Sequence, residues 1–219
     1  MAGTAFPAQR QLVRLAFLAA MLAAFAFLSA VIWAGALRAD AGAQRRSAAE
    51  LMDVLMWNRE PVGGAFSLTD HTGARRSDAD FRGKLALVYF GFSYCPDICP
   101  TDLQEISRAI TLLGRQGEAI QPVFITLDPE RDTAEHLAGY VELFHPRLVG
   151  LTGSAGEIRQ AADAYKVFYE KVATDGGYTV DHSAYVYLMD RDGRYLGFFP
   201  PNTSAERMLT IIKPHLPAS

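Results

Sequence analysis

The run Leu85 to Phe92 constrains this chain most, because it is continuously apolar rather than alternating. A strand without a polar face is covered on both sides, which puts it in the middle of a sheet flanked by helices. Close behind it come the only two cysteines among 219 residues, in Cys95-Pro96-Asp97-Ile98-Cys99. Asp102 to Leu113 then reads as a helix. The two thiols therefore sit at a strand-to-helix junction on the carboxyl edge of the sheet, where open α/β folds place their chemistry.

The rest of the chain extends this pattern. Ala65 to Thr69 alternates as a strand does, and Asp70-His71-Thr72-Gly73 predicts a hairpin turn. Pro122 to Leu127 is a second apolar strand. Asp132 or Thr133 caps a helix that runs to about Phe144, where His145-Pro146 ends it. Leu148 to Leu151 is a short strand. Ser154, with Glu157 three residues on, forms a capping box for a helix to Tyr165. Phe168 to Val172, Ala184 to Met189 and Tyr195 to Phe199 are strands, with a turn from Asp190 to Gly193 between the last two. Ser204 to Lys213 closes as a helix. The order β-β-α-β-α-β-α-β-β-β-α predicts a mostly parallel sheet flanked by helices, with an antiparallel edge. That is the outline of an α/β, thioredoxin-like fold with an N-terminal extension.

The extension has its own character. Leu15 to Leu37 contains no charged residue. As a helix its 23 residues would span about 35 Å, enough to cross a hydrocarbon core of ~30 Å with some tilt. Trp33 suits an interfacial anchor. The expected layout is a tail over 1–14, a transmembrane anchor over 15–37, a linker over 38–61 and a thioredoxin-like domain over 62–219. A cleaved signal peptide, with Ala39-Asp40-Ala41 as cleavage site, stays open as the alternative. Arg10 and Arg14 on one side balance Arg38, Arg45 and Arg46 on the other, so charge does not set the orientation. The short tail favours the N-terminus inside, with the domain across the membrane. Ala48 to Trp57 reads as an amphipathic linker helix. Its Met52 and Met56 could offer thioethers to a metal, although packing explains them as well. A net charge of −3 supplies no basic footprint for nucleic acid.

The cysteine spacing admits two chemistries, electron exchange and soft-metal binding. In a helical turn, residues four apart share a face, and both sulfurs can aim at one atom. Their Cα atoms are then about 6 Å apart, near the upper end for a disulfide. A structural disulfide would close too small a loop to constrain much chain. A helix N-terminus favours thiolate. Pro96 suits a first-turn position, and Pro100 predicts a distorted turn that keeps both thiols exposed. Thioredoxin-type motifs have two residues between their cysteines and a proline just before the later strand. Here there are three, and Val180-Asp181-His182-Ser183 stands in the proline's place. His182 is thereby expected near the sulfurs. Two thiolates and an imidazole suit copper, since thiolate selects Cu(I) and imidazole accommodates Cu(II). A structural zinc site would want a fourth ligand. His71, His136, His145 and His215 have no ligand partner at suitable spacing and read as ordinary surface or turn histidines.

Three segments carry a family resemblance. Tyr94-Cys95-Pro96-Asp97-Ile98-Cys99-Pro100, Thr126-Leu127-Asp128-Pro129-Glu130-Arg131-Asp132-Thr133 and Asp181-His182-Ser183 closely resemble the Sco/SenC/PrrC family, and Leu151-Thr152-Gly153 is similar to its LTG segment. The resemblance covers roughly residues 62–216. It implies a membrane-tethered, thioredoxin-fold copper metallochaperone that helps assemble the dinuclear copper centre of cytochrome c oxidase subunit II. The expected place is the bacterial inner membrane with the domain in the periplasm, or the mitochondrial inner membrane. It implies that Cys95, Cys99 and His182 bind one copper ion, received from another copper chaperone. Asp97 would tune the site. Arg131 and Asp132 would fix the neighbouring loop, unless they form only a local ion pair and helix cap. Two other roles stay open. One is a thiol–disulfide oxidoreductase, with Cys95 and Cys99 as redox-active pair, that reduces the target's copper-ligand cysteines. The other is a redox sensor. Whether the chain is an enzyme is thus undecided by sequence.

Overall fold

The computed structural model of the protein describes residues 61–217 and, before them, only Met21. Apart from Met21, the expected anchor and linker helix lie outside the described residues. Among the described residues no helix is long and apolar enough to cross a membrane. The domain falls in the second of the two units into which the chain divides, Ala48–Ser219.

Nine strands and four α-helices follow one another among the described residues: β1 (Ser67–Asp70), β2 (Arg75–Ser77), β3 (Leu85–Gly91), α1 (Ile98–Leu112), β4 (Ile120–Thr126), α2 (Ala134–Val141), β5 (Val149–Thr152), α3 (Ala155–Ala164), β6 (Tyr169–Thr174), β7 (Gly177–His182), β8 (Val186–Met189), β9 (Tyr195–Phe199) and α4 (Ala205–Ile212). Seven strands form one sheet in the order β2-β1-β5-β4-β3-β8-β9. The centre, β3-β4-β5, is parallel, and the pairs on either side are antiparallel. β6 and β7 form a separate two-stranded sheet.

Continuous apolarity predicts a central β3, and all seven of its residues are buried. It lies between β4 and β8, with Phe90 against Tyr165 and Tyr187, and Tyr89 against Phe124. Each such large side chain stabilises the fold by about 1.5–3 kcal/mol relative to an exposed one. Two helix starts, those of α3 and α2, are also as the sequence predicts. Ser154 Oγ accepts the Glu157 N–H, and the Glu157 carboxylate accepts the Ser154 N–H at 2.7 Å. Thr133, rather than Asp132, caps α2 by accepting the His136 N–H.

The predicted hairpin turn at Asp70 to Gly73 forms, with β2 as its return arm, whereas β7, which pairs with β6, has no counterpart among the expected strands. The helices need correction too. α1 begins at Ile98, four residues before Asp102. Pro100 is its third residue, where an N–H would have no intrahelical partner, so the proline interrupts nothing. Pro96 lies before the N-cap, Asp97, and not in the first turn. α2 ends at Val141, because the next amides bond three residues back, Leu143 to Tyr140 and Phe144 to Val141.

The first hairpin is tied by one buried carboxylate. Asp70 accepts the N–H of Thr72 and of Ala74, the Thr72 hydroxyl and the Arg76 Nε–H. Burial alone would raise its pKa. The Thr72 hydroxyl, Arg76 and the two amides more than reverse this and hold it well below the usual carboxylate range. A depressed carboxylate stabilises the fold above its unfolded pKa, and the contribution is lost as pH falls towards the folded value. Asp70→Asn is therefore expected to cost about 1–3 kcal/mol at neutral pH. The variant should also lose less stability than the wild type as the pH drops below about 4, which urea unfolding across that range measures.

Candidate metal centre

β3 ends at Gly91, and the chain crosses the sheet edge through Phe92, Ser93 and Tyr94 to Cys95. A buried carboxylate fixes that crossing. Asp132 accepts the Ser93 N–H at 3.0 Å, the Ser93 hydroxyl, and the Thr126 hydroxyl at 2.6 Å. Ser93 has only one hydroxyl proton and gives it to Asp132, so Ser93 Oγ accepts from His136 Nε2 at 2.8 Å. Tyr94 stacks on the His136 ring, with centroids 5.3 Å apart. His136 is thus a support of the thiol loop, a role that its lone position on a helix did not suggest.

The two thiols are not equivalent. Cys99, on the first turn of α1, is completely buried, whereas Cys95 is half-buried. This corrects the expectation that both are exposed. Gly91 makes the burial of Cys99 possible: a Cβ there would stand 2.9 Å from Cys99 Sγ and 3.0 Å from the Tyr89 ring. Only a residue without a side chain lets the sulfur lie against β3. Cys95 lies just ahead of the helix, and its Sγ accepts the Cys99 N–H at 3.5 Å. No acidic side chain occupies the first turn of α1, so the helix N-terminus favours charge on that sulfur.

His182, the last residue of β7, completes the cluster. Its Nε2 is 3.5 Å from Cys99 Sγ, and its Nδ1 is 3.2 Å from the Ser183 carbonyl. A carbonyl only accepts, so Nδ1 carries a proton. In neutral imidazole this leaves the Nε2 lone pair facing the sulfur. The ring packs edge-on against Phe92 and Tyr89.

The pair of sulfurs holds one proton. Hydrogen bonding from Cys99 lowers Cys95 first; the Asp97 and Cys99 amides add to it, and together they outweigh burial. Cys95 falls to about 3. The bond to Cys95, burial and repulsion from the Cys95 charge push Cys99 far above the usual thiol range. Asp102, buried one turn further along α1, is raised to about 6 by burial, against the Asn202 amide that favours its charge.

Among the described residues no three His, Cys, Asp or Glu side chains already stand as a ligand set. The spacing of Cys99 and His182 nonetheless suits one ion. Bonds of ~2.3 Å to sulfur and ~2.0 Å to nitrogen, at a tetrahedral angle, separate the two ligands by about 3.5 Å, the distance found here. Cys95 Sγ, which accepts the Cys99 N–H, stands at the same helix start. The other expected residues do less. Asp97 is an exposed N-cap whose side chain makes no capping bond. Arg131 pairs with Asp128 rather than Asp132.

The domain is thus thioredoxin-like, with two unequal thiols at the N-terminus of α1 and an imidazole brought to them by an added hairpin. The SCO1/SenC family model matches residues 56–216, and the chain belongs to that family. It is 45% identical over 159 residues to the human mitochondrial SCO2 homolog, covering 71% of this chain and 60% of the relative. It therefore spans less than two thirds of that protein. Two solved structures share the fold. ScoI of Bradyrhizobium japonicum with copper bound is 42% identical, with a TM-score of 0.66 over 71% of this chain and 99% of that one. Yeast Sco1 with copper bound is 37% identical, with a TM-score of 0.65 over 71% of this chain and 88% of that one.

The asymmetry of the thiols gives a direct test. With Cys95 at about 3, its thiolate is fully formed throughout the neutral range. Iodoacetamide is expected to alkylate Cys95 alone, at a rate that stays flat from about pH 5 to 8. Peptide mass spectrometry reads the site. A rate that climbs tenfold per pH unit, as for an ordinary thiol near pKa 8.5, would contradict the assignment.

Proposed function

We propose that the protein is a membrane-anchored copper metallochaperone that binds one copper ion through Cys95, Cys99 and His182. On this reading it delivers the ion to the dinuclear copper centre of cytochrome c oxidase subunit II. The observation that carries the reading is the 3.5 Å approach of His182 Nε2 to Cys99 Sγ. Two sulfurs alone would serve redox exchange. An imidazole with its lone pair on the same point makes a metal-ligand set, and thiolate with imidazole suits copper. Copper bound to relatives of the same fold supports the choice of metal. The charge-free segment Leu15 to Leu37 supports a single-pass anchor, and on this reading the domain lies on the periplasmic side of the inner membrane.

Each ligand has its own part. The Cys95 thiolate needs no deprotonation before binding. Cys99 must lose its proton on binding, so loading releases a proton. The half-exposed Cys95 side is where a ligand of the acceptor, or of a donor chaperone, can reach the ion. Transfer then proceeds by ligand exchange, with no free copper.

The unequal thiols favour a second reading, thiol–disulfide exchange. The Cys95 thiolate would attack a disulfide of the target, forming a mixed disulfide and releasing one target thiolate. Cys99, after losing its proton, would attack Cys95 Sγ. That frees the second target thiol and leaves the Cys95–Cys99 disulfide, with two electrons passed to the target.

His182 separates the two. In anaerobic Cu(I) titration of the reduced protein, we expect one equivalent bound and none with Cys95→Ser or Cys99→Ser. His182→Ala should weaken binding by on the order of tenfold or more while leaving reduction of a target disulfide unchanged. Full copper retention by either serine variant would remove the site assignment. Binding indifferent to His182 would move the function to disulfide exchange.

A further inference from the structure

His182 is carried by the β6–β7 hairpin, which shares no strand pairing with the seven-stranded sheet. Something other than a backbone ladder must hold it over the thiols. The register puts His182 opposite Tyr169 at the base and Tyr178 opposite Ala173 close to the turn. On β7, the alternation brings Tyr178, Val180 and His182 to one face, and Val180 on that face is buried.

Arg131 grips the far end of that face. Its guanidinium lies 4.0 Å from the Tyr178 ring centroid, and its Nη1 donates to the Tyr178 carbonyl at 3.1 Å. Its Nε pairs with Asp128, a completely buried carboxylate that also accepts the Tyr178 hydroxyl at 2.8 Å. The same guanidinium lies 4.8 Å from Tyr94 and 5.8 Å from Phe92, the two rings of the thiol loop. Phe92 in turn packs on His182. One planar cation therefore touches the hairpin, the thiol loop and the β4–α2 loop. Beside it, Lys171 pairs with Glu130 at 2.7 Å on the exposed side, where such a pair adds little.

We infer that Arg131 is a positioning residue that docks the β6–β7 hairpin and so places His182 at the two cysteines. The inference rests on the copper reading for its consequence but not for its structural content. Arg131 touches none of the three ligands; it acts through Tyr178 and Phe92. A lysine would keep the charge but lose the plane that stacks between rings and the second donor that reaches the Tyr178 carbonyl.

A double-mutant cycle with hydrogen exchange tests this. The variants are Arg131→Gln, Arg131→Lys and, because loss of the Asp128 partner could unfold the loop, Tyr178→Leu on the hairpin side; each is made with and without His182→Ala. In the metal-free protein, the β7 amides are expected to exchange faster in Arg131→Gln and Tyr178→Leu, while β3 and β4 amides stay protected. In Cu(I) titration, these two variants should weaken binding about 10–100-fold when His182 is present. They should add nothing in the His182→Ala background. Cu(II) paramagnetic resonance should lose the nitrogen coupling of the imidazole, and Arg131→Lys should restore it only in part. Unchanged β7 protection in both variants, or equal weakening with and without His182, would overturn the inference. If wild type and His182→Ala bind copper alike, the copper reading fails instead, and the β7 exchange still decides the docking role.

Discussion

Everything at the thiol edge depends on how the Asp132 carboxylate is satisfied. It sits completely buried at the junction of three segments. Its bonds run to Ser93 in the thiol loop and to Thr126 at the end of β4, and the next residue, Thr133, caps α2. A buried carboxylate is tolerable only with its oxygens filled, and charge-assisted bonds from two hydroxyls and an amide fill them. With Ser93 fixed, Phe92 and Tyr94 face the Arg131 side and Cys95 falls just ahead of α1. With α2 fixed, His136 braces both Ser93 and Tyr94. Removing the carboxylate would free the loop at the point where the chain leaves β3.

Within that frame, the difference between the sulfurs comes from burial and from the helix. Cys99 is walled in by β3, where Gly91 leaves it room, and a charge there would be far from water. Cys95 meets the free amides of the helix start and keeps partial contact with solvent. One fold position therefore supplies a resident thiol and a ready thiolate from identical residues. Sequence spacing says only that two sulfurs are near each other; the neighbouring strand decides which one carries the charge.

What could be read in the sequence follows the same division. The central strands β3 and β4, the capping box of α3 and the terminal helix were legible because a local pattern specified each. β2 was not, because its exposed Arg75 and Arg76 look like loop residues; they reach across to Glu157 and Asp70. β7 was not, because Tyr178, Thr179, Asp181 and His182 mix polar and aromatic residues without a core face of the main sheet to serve. The Asp175-Gly176 turn between two alternating segments was the available signal. Cys95, Cys99 and His182 stand out in the motifs, and the fold brings His182 Nε2 to Cys99 Sγ and Cys95 Sγ to the Cys99 amide. Arg131 does form a local ion pair, with Asp128 three residues back rather than with Asp132. Its contact with the ring of Tyr178, some 50 residues on, belongs to tertiary structure, which spacing along the chain does not encode.

The three residues of the proposed site sit on supports of unequal stiffness. Both cysteines belong to the strand-to-helix junction of the main sheet, so moving either would disturb β3, Gly91 and the start of α1. His182 belongs to a two-stranded hairpin that pairs with no strand of the main sheet, and isolated hairpins are marginal in water. Local opening of such a unit costs less than opening the core. On the copper reading proposed above, a three-ligand site could thus drop to two ligands with the rest of the domain intact. For a storage protein that would be a leak. For a protein that hands an ion to another set of ligands, it would open a coordination position while the two sulfurs keep hold. On that reading the hairpin, which pairs with no strand of the main sheet, would add the weakest-held ligand to two that are anchored in the core.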